Sequence, residues 1–375
     1  MPDTPVLTDP ADLNRFVEEL KREPVIAVDL EADSMHNYRE KVCLLQFSTP
    51  SRTVLVDPLA VEDLSSLVPL LADPGVRKIF HAADYDVRCL NRDFGIEIRG
   101  LFDTMIASQF IGEEKVGLAD VLNKYFGVEL DKKFQRADWS IRPLPEGMIR
   151  YAAEDTRHLH RLVELLEDKL KEKGRLAWVS EEFSLLEQGR FAGQEGPMCL
   201  RIKGAGRLDR RQLGVLEELL RWRDGEAERR DCPPFKVVGN KALLEVARVQ
   251  PPTLRGLVGL EGLFPRVVDR YGRRLLEAVE KGRNLPEGDL PVFPRTPRAE
   301  RDPAAEKRLL LLKAWRRKKA QEMEMDPGIV INNALLEEVS RCPPRGAEDL
   351  ADLPALKNWQ REVLGEGILA ALGSG

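Results

Sequence analysis

At 375 residues, with 43% hydrophobic and 32% charged side chains, the chain has material for two or three soluble domains with apolar cores. It opens on no basic segment followed by an apolar stretch, and no apolar run approaches the length needed to cross a bilayer, so neither secretion nor membrane insertion is expected. The net charge of −5 argues against a uniformly basic nucleic-acid binder, yet residues 201–375 hold 33 Lys+Arg against 27 Asp+Glu, which leaves 25 against 36 for residues 1–200. An acidic half joined to a basic half is a pattern for an active site attached to a module that binds a polyanion.

In chain order, strands are expected at 25–30, 42–48, 53–56 and 76–80, with another near 96–102. Helical patterns occupy 61–72, 84–93, 103–112, 117–126 and 146–172. Alternation of this kind predicts a mixed α/β sheet domain. From about residue 207 the strand signal disappears and helical patterns follow one another. They are interrupted at 284–303 by "NLPEGDLPVFPRTPRAERDP", with five prolines, which reads as a linker. The flanking helical blocks look duplicated. "WRDGEAERRDCPPFKVVGNKALLEVA" at 222–247 can be laid against "WRRKKAQEMEMDPGIVINNALLEEVS" at 315–340, with Trp222 and Trp315 at matching places. The expected domains are therefore 1–203, 204–283 and 304–375, with 284–303 between the last two. The cysteines (Cys43, Cys89, Cys199, Cys232 and Cys342) are odd in number and scattered, with no Cys-x-x-Cys pair. Neither a disulfide framework nor a zinc knuckle is expected, and a reducing cytoplasm is the default compartment.

The chemistry-bearing residues are acids. In "VIAVDLEADS" a strand ends with Asp29 and Glu31 two residues apart, and therefore on one face. Paired carboxylates repel unless something positive lies between them, and a divalent cation is the obvious candidate. In "HAADYDVRCL" a helix starts near Asp84; a role as N-cap or first-turn carboxylate accounts for Asp84, and Asp86 follows in the first turn. His81 reads as a hydrogen-bonded structural histidine. In "IRYAAEDTRHLH" Tyr151 and Asp155 are four apart on a helical pattern and share a face, while Glu154 reads as solvated. Together these make four carboxylates and one phenol. Two divalent ions about 3.5–4 Å apart need such an inventory, and Mg²⁺ prefers hard oxygen ligands.

The stretches "VDLEADSMHNYREKVCLLQFST", "FHAADYDVRCL", "LFDTMIASQFIG", "GLADVLNKYFGVELDKKFQRADWSIRPL" and "YAAEDTRHLHRL" resemble ribonuclease D and its relatives. These are DEDDy 3′–5′ exonucleases of the ribonuclease H-like fold. The resemblance runs over residues 5 to 200 in the family's order. The two C-terminal blocks resemble tandem HRDC domains. One departure is that Ala32, followed by Asp33, stands where the family usually has Phe or another bulky residue.

The resemblance implies an α/β ribonuclease H-like domain, a mixed sheet flanked by helices, followed by two all-α HRDC-like domains. It places the first motif on Asp29 and Glu31, the second on Asp86 rather than Asp84, and the third on Tyr151 and Asp155. Asp29, Glu31, Asp86 and Asp155 would then hold two Mg²⁺ or Mn²⁺ ions for hydrolysis of the terminal phosphodiester. Tyr151 would orient water and phosphate without ionising, since a phenol with a pKa of about 10 is a poor base at neutral pH. Asp103 recurs in the family and reads as a helix cap. The expected partner is RNA with a free 3′ end, such as a tRNA precursor; the protein is expected to be a monomer, and the products nucleoside 5′-monophosphates. A DNA-directed exonuclease and a non-catalytic RNA-binding scaffold are the alternatives, the intact acids arguing against the second. Arg316, Arg317, Lys318 and Lys319, beside Trp315, are the expected RNA contacts, against a solvated charged face as the other reading. Arg207, Arg210 and Arg211 open the first block. For His36, Tyr38 and Gln46 contact with the terminal nucleotides stands against ordinary packing, and they are set aside from the expected site. A chain ending near residue 203 is expected to keep hydrolytic activity.

Overall fold

The computed structural model describes residues 4–193, 195–294 and 302–373. It divides into two compact units: Met1–Ala32 with Val42–Phe191 and Glu300–Gly375, and Asp33–Lys41 with Ala192–Ala299. Among the described residues no helix is long and apolar enough to cross a membrane, and the cysteines form no disulfide.

The first unit is built on a six-stranded sheet of β1 (Val6–Leu7), β2 (Val25–Ala32), β3 (Val42–Ser48), β4 (Thr53–Val56), β5 (Arg77–Phe80) and β6 (Leu101–Asp103). Its order is β1-β4-β3-β2-β5-β6. β3 runs antiparallel to β2 and β4, whereas β5 lies parallel to β2 and β6. The sheet is mixed, as expected. All residues of β3 are buried, which explains why "VCLLQFS" reads as a nearly continuous apolar run rather than an alternating one. β1 carries too few residues to signal itself in sequence.

Two helical expectations change. The stretch 61–72 is two short helices, Pro58–Val61 and Leu67–Leu71. Asp57 caps the first ahead of Pro58, and the Asp63 carboxylate then takes the amide of Ser65 at 2.8 Å. A side chain that offers the backbone a turn competes with helix continuation. The stretch 146–172 is likewise two helices, Glu146–Arg157 and Leu159–Glu172, separated at His158. The first packs on β2, β3 and β4, and the second on β2, β5 and the helix Thr104–Ile111. One continuous apolar stripe could not face both sets of partners.

The duplication is visible as matched helices. Arg210–Arg229, Pro234–Val237, Asn240–Val249, Leu254–Leu257 and Pro265–Arg283 correspond in order to Pro303–Glu322, Pro327–Val330, Asn333–Arg341, Ala347–Ala351 and Asn358–Gly373. The two blocks settle differently. The first has its own core, in which Trp222 packs on Tyr271 at 5.5 Å. The second shares one apolar core with the α/β domain. Trp359 stacks on Trp178 at 5.3 Å and meets the edge of Phe110 at 5.3 Å. Glu181 accepts the amides of Asn358 (2.8 Å) and Trp359 (2.9 Å), so an acid of the α/β domain caps the last helix. Gly112 is required at this junction, because a Cβ there would lie 2.3 Å from the Glu324 carbonyl oxygen. The α/β domain expected at 1–203 thus shares its core with the second helical block.

Of the expected linker, residues 295–301 lie outside the described residues. Before them, Glu287–Asp289 forms a 3-10 turn and Leu290 is buried. Arg211 donates to the carbonyls of Arg283 (3.0 Å) and Leu285 (2.5 Å) and to Glu287 (2.6 Å). The start of the Pro-rich stretch is therefore packed, and Arg210 and Arg211 hold it instead of standing free.

Candidate active site

β2 carries Asp29 opposite Gln46 of β3 and Glu31 opposite Leu44, and the pairing becomes irregular between Glu31 and Ala32. Both acids therefore share a sheet face as the strand leaves its partner. The helix Glu146–Arg157 covers that face. Met148 and Ala152 pack on Leu44 and Leu55, and Thr156 Oγ1 lies 2.7 Å from Ser48 Oγ. This seats Tyr151 and Asp155, one turn apart, over the two acids.

Asp86 comes from the turn after β5. There Ala82 has φ +66°, a conformation that costs a non-glycine residue about 1–3 kcal/mol. Asp103 holds the turn, accepting the amides of Ala82 (3.2 Å) and Ala83 (2.8 Å). The same carboxylate caps the helix Thr104–Ile111 through Met105 (2.8 Å) and Ile106 (3.1 Å). It is the cap the sequence suggests, with a second task the sequence hides. His81 Nδ1 lies 2.8 Å from Thr104 Oγ1, completing the brace. Out of this turn the helix Asp84–Phe94 sends Asp86 inward, 5% exposed, whereas Asp84 faces outward and pairs with Arg88 at 2.5 Å.

Charge marks the four acids out. Burial pushes Asp29 up to about 7 and Asp155 up to about 8, with Asp29 and Glu154 adding repulsion. Burial, then Asp29, Asp155 and Asp86, push Glu31 up to about 10. Asp86 stands well above the carboxylate range through burial and the charges of Asp29 and Asp103. Burial, then the charges of Asp155, Glu31 and Asp29, raise the Tyr151 phenol, so it stays protonated. Among the described residues none of the four acids forms an ion pair with Lys, Arg or His. Among the described residues no group of three His, Cys, Asp or Glu side chains is placed to hold a metal ion as it stands. The donor set still fits hard divalent ions, because partly buried carboxylates that repel one another and lack an internal cation are relieved by protons or by metal.

Sequence reading missed the wall beside Tyr151. Arg142 donates to both Asp57 oxygens (2.5 and 2.7 Å) and to the carbonyls of Cys43, Trp139 and Ile141. This locks the loop that brings Trp139 and Phe134 each to 6.0 Å from the Tyr151 ring. Gly147 leaves room for Phe134, whose ring would lie 3.1 Å from a Cβ there. Lys133, Phe134, Arg150, Tyr151 and Asp155 line a cavity of about 420 Å³, within the range of small-ligand sites. Asp57 is only 4% exposed in its side chain, so Arg142→Ala strands a buried carboxylate. It is expected to cost about 3–5 kcal/mol in a denaturant titration and to lower kcat at temperatures where the protein stays folded.

The basic run lies on the helix Pro303–Glu322, away from these acids in sequence and unequally exposed. Arg316 donates to the Ile331 carbonyl at 2.8 Å, and Lys319 lies 3.8 Å from Glu322. Arg317 and Lys318 are exposed. Tyr38, set aside above, packs in the second unit, where its hydroxyl donates to Asp224 at 2.8 Å.

Comparison with known proteins agrees with this architecture. A family model for a 3′–5′ exonuclease matches residues 5–171, and the HRDC domain model matches 212–279 and 305–372. Ribonuclease D of Granulibacter bethesdensis is 32% identical over 98% of this chain and 92% of its own length. Ribonuclease D of Gluconacetobacter diazotrophicus is 33% identical over 98% of this chain and 93% of its own. The crystal structure of Escherichia coli RNase D, an exoribonuclease involved in structured RNA processing, aligns with 99% of both chains at a TM-score of 0.75 and 28% identity. With a catalytic sheet, paired helical repeats and full-length relatives all in agreement, the chain belongs to the ribonuclease D family of 3′–5′ exoribonucleases.

Proposed function

We propose that the protein trims RNA from a free 3′-OH, releasing nucleoside 5′-monophosphates, with Asp29, Glu31, Asp86 and Asp155 holding two Mg²⁺ or Mn²⁺ ions. Divalent-metal dependence comes with the exonuclease family; the identity and number of the ions belong to the proposal. The observation that carries it is the group of four inward acids with raised pKa values and no ion-pair partner among the described residues. Bound there, the ions would supply an activated water and stabilise charge on the departing 3′ oxygen. The protonated Tyr151 donates a hydrogen bond to water or phosphate and does not act as a base. The cavity beside it offers the Phe134 ring to the terminal base, with Lys133 and Arg150 set among the acids Glu129, Asp131, Glu154 and Asp155. Precursor tRNA and other structured RNA are the proposed substrates, and the cytoplasm the proposed compartment of a monomeric enzyme.

The test is polarity and metal together. A 3′-OH oligonucleotide is expected to be consumed, a 3′-phosphate one to resist, and a circular RNA to stay intact; internal cleavage of the circle refutes the reading. Matched DNA decides the sugar preference. Asp29→Asn, Asp86→Asn and Asp155→Asn are each expected to abolish hydrolysis, while Asp84→Asn stays within about twofold of the parent.

RNA grip is better placed in the first helical block than on the basic run alone. Residues 192–299 hold 21 Lys+Arg against 15 Asp+Glu, whereas residues 300–375 hold 12 against 13. Arg255, Arg270 and Arg273 line a groove of about 640 Å³ with the exposed Leu254 and Val258, and none has an ion-pair partner among the described residues. Arg317 and Lys318 add a smaller contribution. Replacing the three arginines by Ala is expected to lower RNA affinity and to flatten the slope of log K against log salt by about 2. A salt titration in Ca²⁺ reads it, with the Arg317/Lys318 double variant expected to lose less. Equal slopes for all three proteins would leave both patches as solvated surface.

A further inference from the structure

The strand opposite Asp29 carries the unexplained group. Gln46 is 0% exposed, and among the described residues neither its Oε1 nor its Nε2 has a hydrogen-bond partner. A buried amide without partners costs about 1–3 kcal/mol, and an apolar residue of the same size would avoid that cost. Gln46 sits in register with Asp29 on the neighbouring antiparallel strand. Directly opposed residues point to the same sheet face, with Cβ atoms about 4.5–5.5 Å apart. The face is confirmed two residues on, where Ser48 reaches Thr156 on the helix that carries Tyr151 and Asp155. The amide is therefore enclosed between the sheet and that helix, beside Asp29.

We infer that Gln46 is a positioning residue for the metal site. Its Nε2–H donates to the Asp29 carboxylate when that carboxylate turns to ligate, and fixes its orientation. This rests on the reading that Asp29 is a ligand. Hydrogen-bonded partners of ligating carboxylates commonly carry a large share of metal affinity. No proton or bond is exchanged; the amide only holds an acceptor in place. Glu31, opposite the apolar Leu44, has no equivalent donor across the strand pair, so the two strand acids are supported unequally.

The experiment is Mn²⁺ binding by calorimetry on the full chain, with thermal melting of the metal-free protein as a second readout. Gln46→Met keeps length and volume and removes the amide. It is expected to weaken Mn²⁺ binding 10- to 100-fold, while the metal-free protein melts at or above the parent's temperature. In an Asp29→Asn background the same change is expected to cost at most twofold, since the acceptor's charge is already gone. Mn²⁺ affinity within twofold of the parent for Gln46→Met overturns the inference. So does an equal loss in the Asp29→Asn background. Gln46→Leu is the second variant; if neither folds, the amide belongs to the fold and the inference falls. If the parent itself binds no Mn²⁺, it is the metal-site reading that fails.

Discussion

Freed of divalent metal, the protein is expected to lose stability as the pH rises from 6.5 to 8, and to regain it when Mn²⁺ is added. Asp29, Asp155, Glu31 and Asp86 have folded-state pKa values raised above their unfolded ones. The folded state therefore binds more protons than the unfolded chain, and its stability falls as the pH climbs through the raised values of about 7, 8 and 10. Other groups act in the opposite sense outside this window. His81 and His160, lowered by burial, favour folding as the pH approaches 6.5 from below. Lys78, lowered to about 8, does so only above that value. Three of the four acids are half-buried, so solvent screening reduces the effect. A loss of about 2–4 kcal/mol is expected, or roughly 5–15 °C in Tm. Glu31→Gln should raise the metal-free Tm at pH 8 while abolishing hydrolysis. Opposite signs for stability and activity are the signature of charges kept for a cation. A flat metal-free Tm across the window, with Glu31→Gln destabilising, would show that the acids are already compensated inside the protein.

What was legible in the sequence was local. Asp29 and Glu31 declare themselves because a strand repeats every two residues, and Tyr151 and Asp155 because a helix turn brings i and i+4 together. The preference for Asp86 over Asp84 comes from the family resemblance alone, and the structure supplies its physical reason, Asp86 turning inward and Asp84 outward to Arg88. Long-range partners carry no such period. Arg142 finds Asp57 85 residues away, and nothing in "SIRPL" announces it. Gln46 looks like one polar residue in an apolar strand until register sets it against Asp29. The basic run at 316–319 illustrates the converse. Charge is visible in sequence, but not that Arg316 turns in to a backbone carbonyl. The break at His158 was hidden because both helices are amphipathic, and only their different partners separate them.

The second helical block supplies the other large effect, since it closes the core of the catalytic unit and is no appendage to it. Trp359 is 2% exposed, lies against Trp178 and Phe110, and donates its indole N–H to Glu182 at 2.8 Å. Lys357 reaches the same carboxylate at 2.5 Å. On the catalytic side, Arg175 donates to the carbonyls of Phe110 and Met323, bridging the two parts. A chain ending at residue 294 would uncover this apolar surface, leave Glu181 and Glu182 without those partners, and take the Met323 carbonyl from Arg175. Each buried aromatic is worth about 1.5–3 kcal/mol, against a total stability of about 5–15 kcal/mol for a typical protein. That truncated chain is expected to be insoluble or molten and inactive on short RNA at 37 °C. Within the full chain, Trp359→Ala is expected to cost about 3–5 kcal/mol and to reduce activity through lost folded protein. Its residual kcat per folded molecule should match the parent, because no acid of the site touches Trp359. Trp222→Ala, in the core of the first block, is expected to leave hydrolysis of short RNA intact. A soluble, cooperatively melting and fully active chain ending at 294 would show instead that the α/β domain closes its own core.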